Sequence, residues 1–522
     1  MTAGYTCTRK TTEFASDDEI FFKMPDFDAV SMAFLSLFVN RFPIKEETFY
    51  LMICCIYSAE NNNSDLMIEV CRRLLLNLYA NNDKHDKMKR KQSTFLMALL
   101  SVFLGDMLFA ADDVGGSCET AGKQRVLIST DIGGTDPDDN QSMAHALMYT
   151  DCFDLEGLVS SPSYGSGSKE EILRMISLYE KDLPRLKKHF KNLMTPRELR
   201  AITKQGRTGA APFCGYATPT EGSQWIVECA RRKSDRPLWV SVWGGLEDVA
   251  QALHDAPDIA DKIRVHWIGG PNKKWSVNSY AYIVENFPNL WIIENNASYR
   301  GFIAGKKQSD RYNAGYYETY MKGAGHIGAD FINYYGGLPK MGDTLALLYV
   351  INGDPYDPQG ESWGGSFEPT SRSSRPVFHR PTTERDTVPV YSIIEFHVKG
   401  PVRSDIAPDS VCFKFEMRNQ TWDGFYLGDG DYVVRHSTYY IGTLQYKITS
   451  HIPGFPHYEG AITVENTWPG REYPTDYKVG PQWFTDKSNT DLFWHNQQGA
   501  QTVYKWRQEV MEDWGGRLEY LK

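Results

Sequence analysis

The sequence predicts an α/β protein. A doubly wound, mostly parallel sheet carries helices on both faces, and an immunoglobulin-like β-sandwich and a last helix follow it. Three observations predict this. Between residues 125 and 295 short apolar runs alternate with amphipathic stretches, the pattern of parallel strands joined by crossover helices. Between about 390 and 466 short alternating segments follow one another with turn residues between them, the pattern of a sandwich. The tail at 501–521 returns to helical spacing.

Taken in order, the strand candidates are RVLIST (125–130), LEGLVSS (155–161), PLWVSVW (237–243), KIRVHWIG (262–269) and NLWIIEN (289–295). Helix candidates lie between them at 170–183, 223–232, 246–255 and 278–287. In such sheets the ligand sits beyond the carboxyl ends of the strands. Those ends are Asp131, the Ser160-Ser161 loop, Trp243-Gly244-Gly245, Gly269 to Asn272, and Glu294 to Asn296. The α/β domain is expected over 122–383, and the polar, proline-containing stretch at 368–387 reads as a linker. The sandwich is expected over 388–480, with strand segments at 390–400, 411–418, 429–438, 443–451 and 460–466. Residues 485–522 are expected to bring a C-terminal helix back to the α/β domain.

A chain of 522 residues is long enough for two or three domains. Its net charge of −10 argues against a duplex-binding surface, so no nucleic acid duplex is expected as a partner. Aromatic content of 13% suits ring-stacking surfaces and large cores alike. None of the nine cysteines forms a CxxC pair, which argues against a zinc knuckle or a thioredoxin-type site. Residues 88–111 read MKRKQSTFLMALLSVFLGDMLFAA: a basic start, a ten-residue apolar run and a small-residue end. That is the layout of a secretory signal peptide, too short to span a bilayer comfortably. A buried helix is the alternative reading. Residues 1–87 are then expected to be an upstream extension foreign to the mature protein, or else a small helical segment. The mature chain is expected in the periplasm or outside the cell, with no stable membrane span.

The stretch STDIGGTDPDDNQS (129–142) carries four carboxylates within nine positions, directly after the first strand. Asp131 falls at the strand's carboxyl end, Gly133 and Gly134 permit a tight turn, and Asp138 and Asp139 open the next helix. A helix cap explains one or two of these aspartates. It does not explain four converging on one strand end, whereas a hard cation bound by several carboxylate oxygens does. Neither the EF-hand spacing nor a Walker or GxGxxG pattern occurs in this turn.

VLISTDIGGTDPDD resembles the N-terminal aspartate signature of the nucleoside hydrolases. The longer spacing, with DPDD followed by QS, more closely resembles a branch described as cellulose-binding proteins with a nucleoside-hydrolase-like domain. The resemblance implies a nucleoside-hydrolase-like sheet and a Ca²⁺ site. Asp131 and Asp139 would be ligands, with Asp138 as the other member of the pair. VSVWGGLEDVAQAL (240–253) resembles the segment whose backbone carbonyl completes that site, here the carbonyl of Trp243. GDTLALLYV (342–350) resembles the late segment that supplies another ligand, here Asp343, for which a helix cap is the plain alternative. WSVNSYAYIVENFPNLWIIENN (275–296) lies where the family carries sugar-hydroxyl ligands. Asn278 is the best match there, with Glu294 and Asn295 beside it. SWGGSF (362–367) and YKWRQEVMEDWGGR (504–517) resemble the branch's closing motifs, which places the sandwich as an insert between them.

The implied chemistry is cleavage of a glycosyl bond through an oxocarbenium-like transition state, with Asp131 as base towards the attacking water. Many relatives place a histidine beside the late aspartate to protonate the leaving group. Gly342 stands there in this chain, so His266, His326 and Glu285 are the substitutes to consider. Trp275, Tyr280 and Trp363 are candidates to stack on a base or a sugar ring, and Trp422 and Tyr426 are the insert's own aromatic candidates. Three readings follow. The protein is a secreted, calcium-dependent hydrolase of N-glycosyl or related bonds, a polysaccharide-binding protein without turnover, or a glycosidase on larger glycans. The expected ligand is a nucleoside, another small glycoside or a polysaccharide.

Overall fold

Burial on both faces explains the first half of the molecule. β1 (Arg125–Thr130) has every residue buried, because helices cover both sides of a parallel sheet. The computed structural model describes residues 122–303 and 311–522, all within one compact unit. The expected signal peptide at 88–111 and the segment 1–87 lie outside the described residues.

After β1 come α1 (Asp138–Met148), β2 (Asp154–Ser160), α2 (Lys169–Leu186), α3 (Pro196–Ala201), β3 (Thr203–Gln205), α4 (Glu221–Arg231) and β4 (Leu238–Val242). Next are α5 (Glu247–Asp255), β5 (Ile263–Ile268), α6 (Val277–Asn286), β6 (Ile292–Asn295), α7 (Gly325–Phe331), α8 (Leu345–Ile351) and β7 (Phe367–Pro369). The second half holds β8 (Arg372–Ser373), β9 (Val377–Phe378), β10 (Thr387–Pro389), β11 (Ile394–Lys399), β12 (Val411–Met417) and β13 (Gln420–Gly428). It continues with β14 (Asp431–His436), β15 (Gly442–Thr449), β16 (Tyr458–Glu465), β17 (Tyr477–Lys478), β18 (Trp483–Asp486), α9 (Gln501–Tyr504) and α10 (Arg507–Glu519).

The first sheet runs β3-β2-β1-β4-β5-β6-β18-β7. All neighbours are parallel except the last pair, β18 with β7. The strand order reverses between β1 and β4, and the crevice at such a switch point is where doubly wound sheets bind ligands. Asp131 follows β1 and Trp243 follows β4, so both stand at that crevice.

The second sheet runs β10-β16-β15-β12-β13-β14-β11-β9. β15 and β11 are four places apart, roughly 19 Å if the sheet were flat. Yet the rings of Phe396 on β11 and Tyr446 on β15 pack with centroids 4.8 Å apart. The sheet therefore curls until its ends face across one core, in which Phe396, Phe415, Tyr446 and Ile462 are buried. This is the sandwich packing the alternation predicts, built from one continuous sheet.

Two differences from the sequence reading concern the return to the first domain. The chain re-enters the α/β sheet through β18, which pairs with β6, and not by a helix alone. The tail helix is in two pieces, α9 and α10. Among the described residues no helix is long and apolar enough to cross a membrane.

Candidate functional site

The acidic loop turns tightly after β1, with Gly134 N donating to Asp131 O at 3.0 Å. Pro137 stands at the N-cap of α1 and no side chain caps the helix, so Asp138 and Asp139 point their carboxylates elsewhere. They meet Asp343 from the loop before α8. One oxygen from each of Asp138, Asp139 and Asp343 lies within 4.8 Å of the others. That span is about twice a Ca–O distance, and the donors are all hard oxygens, so the three residues fit one Ca²⁺ or Mg²⁺. Asp343 does not cap α8 either, and its buried Oδ2 has no hydrogen-bond partner. An orphaned buried carboxylate oxygen costs free energy unless something positive meets it.

Asp131 lies alongside, within hydrogen-bonding reach of Asp139 and Ser163. Gly244 leaves it room: a Cβ there would stand 2.7 Å from the Asp131 Cβ. Burial pushes the Asp131 carboxyl up to about 6 and that of Asp138 up to about 7. Asp139 and Asp343 are raised well above the usual carboxylate range, first by burial and then by neighbouring carboxylates, Asp131 foremost for Asp139 and Asp138 foremost for Asp343. Thr130 Oγ1 donates to Asp139 Oδ1 and opposes part of the rise. The carbonyl of Trp243 accepts from Asn272 Nδ2 at 2.7 Å, which orients it and leaves a second lone pair.

Two side chains one turn apart on α1 hold the late loop against the early one. Gln141 donates to Leu338 O at 3.0 Å and accepts from Lys340 N at 2.7 Å. His145 Nδ1 meets Thr344 Oγ1 at 2.7 Å. Asp136 pairs with Lys340, whose Nζ also lies 3.3 Å from Asp138. That assigns the fourth carboxylate of the loop a partner in place of a ligand role.

Residues 125–367 match the family model described as "Cellulose-binding Sde182, nucleoside hydrolase-like domain". They form a nucleoside hydrolase-like domain. Residues 387–451 match a domain of unknown function, DUF5060, which falls within the curled sheet. Among solved structures the chain is similar to a nucleoside hydrolase-related hypothetical protein from Saccharophagus degradans, described as associated with carbohydrate metabolism. Identity is 18%, 66% of this chain and 100% of that one are covered, and the TM-score is 0.41. The inosine-uridine preferring nucleoside hydrolase of Bacillus anthracis is 14% identical, over 48% of this chain and 86% of its own, with a TM-score of 0.31. No curated protein matches the chain.

The nucleoside hydrolase-like domain distributes the remaining sequence candidates unevenly. Asn278 stands in the first turn of α6, with Nδ2 donating to Ala211 O and a buried Oδ1 without a partner. Trp275 lies nearby, stacked between Tyr164 and Trp422 at 4.5 and 4.8 Å. Glu294 does not open to the crevice. It is fully buried, pairs with Lys273 at 2.5 Å, and accepts from Asn296, Tyr280 and Trp483 as well. Four donors leave it no free acceptor for a sugar hydroxyl. Tyr280 is spent in the same network. Asn295 is likewise buried, with Oδ1 accepting from Tyr299 N and Nδ2 at 3.3 Å from His266 Nε2. Trp363 is 3% exposed and donates to Glu509, which makes it a core residue. In the insert, Tyr426 is buried in its core and Trp422 nearly so.

None of the proposed substitutes for the leaving-group acid reaches the crevice. His266 is sealed between Tyr349 and Phe367, and burial lowers it to about 3. His326 pairs with Asp182, fourteen residues along α2 from its crevice end at Ser168, or about 21 Å. Glu285 is exposed at the far end of α6. Gly342 has its own reason: a Cβ there would stand 2.9 Å from the ring of Tyr299. Tyr299 thus fills the space a histidine at 342 would need. Sequence reasoning missed Tyr299, Lys340 and Glu247. Glu247 is a buried carboxyl behind the Gly244-Gly245 turn, pushed up to about 8 by burial and accepting from Ser276 Oγ at 3.0 Å. Only the strand-end position of GGLED hinted at it.

Proposed function

We propose that the crevice binds Ca²⁺ and hydrolyses a glycosyl bond, N-glycosyl compounds being the first class to test. The convergence of Asp131, Asp138, Asp139 and Asp343 at the switch point, with one buried oxygen orphaned, carries this reading. Asp138, Asp139 and Asp343 would hold the cation together with Asp131 and the Trp243 carbonyl. When bound, it supplies Lewis acidity and charge for vicinal sugar hydroxyls. The chain's own residues do the rest. Asp131, raised towards neutrality, sits where it can take a proton from an attacking water. Asn278 offers an unpaired amide oxygen to a sugar hydroxyl. Asn272 fixes the Trp243 carbonyl, and Gln141 and His145 fix the Asp343 loop. The signal-peptide pattern at 88–111 supports work in the periplasm or outside the cell.

A second reading is a polysaccharide-binding protein on the same fold. Tyr299 in place of an acid beside Asp343 favours it, as does the cellulose-binding description of the matching family. Elemental analysis of the purified protein, with and without Asp139→Ala, tests the cation; wild type without stoichiometric calcium refutes that part. A screen of nucleosides and aryl glycosides beside a pull-down on insoluble polysaccharide separates the readings. Turnover abolished by Asp131→Ala selects the hydrolase. Polysaccharide binding without turnover, unchanged by Asp131→Ala, selects the binder.

A further inference from the structure

Three cations meet where the insert touches the carboxyl ends of the α/β sheet, and no acid accompanies them. Lys274, from the turn after β5, is 5% exposed; its ammonium donates to Gln420 Oε1 at 2.7 Å. Its ammonium lies 5.2 and 5.9 Å from the rings of Tyr439 and Tyr440. Arg300, just after β6, packs 5.3 Å from the Tyr439 ring, and its buried Nε has no partner. Arg418 lies 3.7 Å over the Tyr440 ring. Among the described residues no carboxylate is in ion-pair distance of any of the three. Burial depresses the Lys274 ammonium first, and the charge of Arg418 depresses it further.

This is unusual for the molecule. The net charge is −10, and the insert's exposed cations find acids readily: Lys414 with Asp423, Lys447 with Glu416, Arg403 with Asp405. Three like charges held together without a counter-ion repel one another. The backbone also works to hold one of them there. Arg418 and Asn419 form the two-residue turn between β12 and β13, both at positive φ, 51° and 59°. Asparagine suits such a turn and arginine does not, so Arg418 is kept at some strain.

The cluster adjoins the candidate catalytic crevice. Tyr299 precedes Arg300 and packs against Gly342 beside Asp343. Trp275 follows Lys274 and stacks on Tyr164, which is half exposed and follows Ser163, the neighbour of Asp131. A ligand lying across the crevice therefore passes from the acidic pole, over the exposed face of Tyr164, to the cations.

We propose that Lys274, Arg300 and Arg418 form a subsite, shared by the two domains, for an anionic group on a sugar unit next to the one held at the aspartates. The substrate class is then an acidic glycan or glycoside, bearing a carboxylate or a sulfate ester. Arginine forks and a lysine point charge recognise both anions, and the flanking tyrosines offer faces for the sugar rings. The proposal rests on reading the crevice as a glycoside site.

The test is calorimetric binding of three probes to the full chain with calcium: tri-galacturonate, sulfated cellotriose and neutral cellotriose. The expected result is that at least one anionic probe binds tenfold or more tighter than cellotriose, with affinity falling as salt rises. The better probe identifies the anion as carboxylate or sulfate. Arg418→Asn, which suits the turn, is expected to cost that probe about tenfold and cellotriose little, and Arg418→Lys to restore part of the loss. Equal binding of charged and neutral probes, or an anionic preference untouched by Arg418→Asn, overturns the proposal. Binding is read without turnover. An anionic preference in a protein that hydrolyses nothing sinks the hydrolase reading and leaves the subsite standing. Turnover of glycosides with no anionic preference does the reverse.

Discussion

The α/β sheet and the curled sheet of the insert treat charge in opposite ways. In the insert, the outward charges of β12 and β13 pair across the strands, as Lys414 does with Asp423, and the buried Glu395 on β11 is matched by Arg375 and Arg435. In the α/β domain the strands are buried on both faces, so charge collects at their carboxyl ends. There it divides again. Glu294 is saturated by four donors, while Asp138, Asp139 and Asp343 crowd one another with an oxygen to spare. Saturated charge holds the fold together; unsaturated charge marks where something else is meant to bind.

The largest expected effect is on turnover. Asp131→Ala is expected to lower kcat by about 10²–10⁴-fold, the usual contribution of a positioned base. The same change removes one of four mutually repelling carboxylates, so the metal-free protein should melt no earlier than wild type. A marked loss of thermal stability in the metal-free state would mean that Asp131 belongs with Glu294 on the structural side of the comparison.

Glu294→Ala should behave in the opposite way. It strands the buried Lys273 ammonium, which packs 4.0 Å over Trp468 of the chain returning from the insert. Breaking a buried pair by removing one partner costs about 3–5 kcal/mol. Urea unfolding monitored by tryptophan fluorescence reads it. A loss below about 1 kcal/mol would show that the network relaxes around the missing carboxylate.

The aspartates also set a pH dependence. Their folded values lie above the ordinary aspartate value of 3.8, about 6 for Asp131 and about 7 for Asp138. The folded state therefore binds more protons than the unfolded one above about pH 4, so stability of the metal-free protein falls as pH rises from there through 7. Calcium should cancel the fall. Thermal melts in chelator and in calcium at pH 5 and pH 7.5 measure it, and the calcium-induced rise in Tm should be larger at the higher pH. Equal rises at both pH values would mean that the four carboxyls do not face the ion.

How far the sequence reveals this division depends on distance along the chain. The strand runs at 125–130, 237–243 and 262–269 are legible because strands buried on both faces read as largely apolar stretches rich in β-branched residues. β3 and β18 are not, because three or four residues carry no period, and β18 pairs with a strand some 190 residues earlier. The acidic loop is legible because its four members are adjacent. Asp343 is visible only through its resemblance to a known segment, since no local pattern announces that residue 340 folds onto residue 136. Glu294, Asn295 and Trp363 mislead for a related reason. They sit at strand ends or in matching motifs, but side-chain burial there is decided by β18 and α10, which arrive late in the chain.

The smallest effect is expected in the insert. Lys414 and Asp423 face each other across β12 and β13, about half exposed, and the pair is open to water and salt. Exposed pairs contribute about 0–1 kcal/mol, because side-chain ordering offsets a Coulomb attraction that water already screens. Lys414→Ala should therefore leave the urea midpoint nearly unchanged, and the double variant with Asp423→Ala should show little coupling. The contrast with Glu294→Ala then rests on burial and not on the chemistry of the pair, since both join a lysine to a carboxylate. A coupling above about 1 kcal/mol would show that the insert's rim is stiff enough to make a surface pair count, and would narrow the difference between the two domains to their geometry alone.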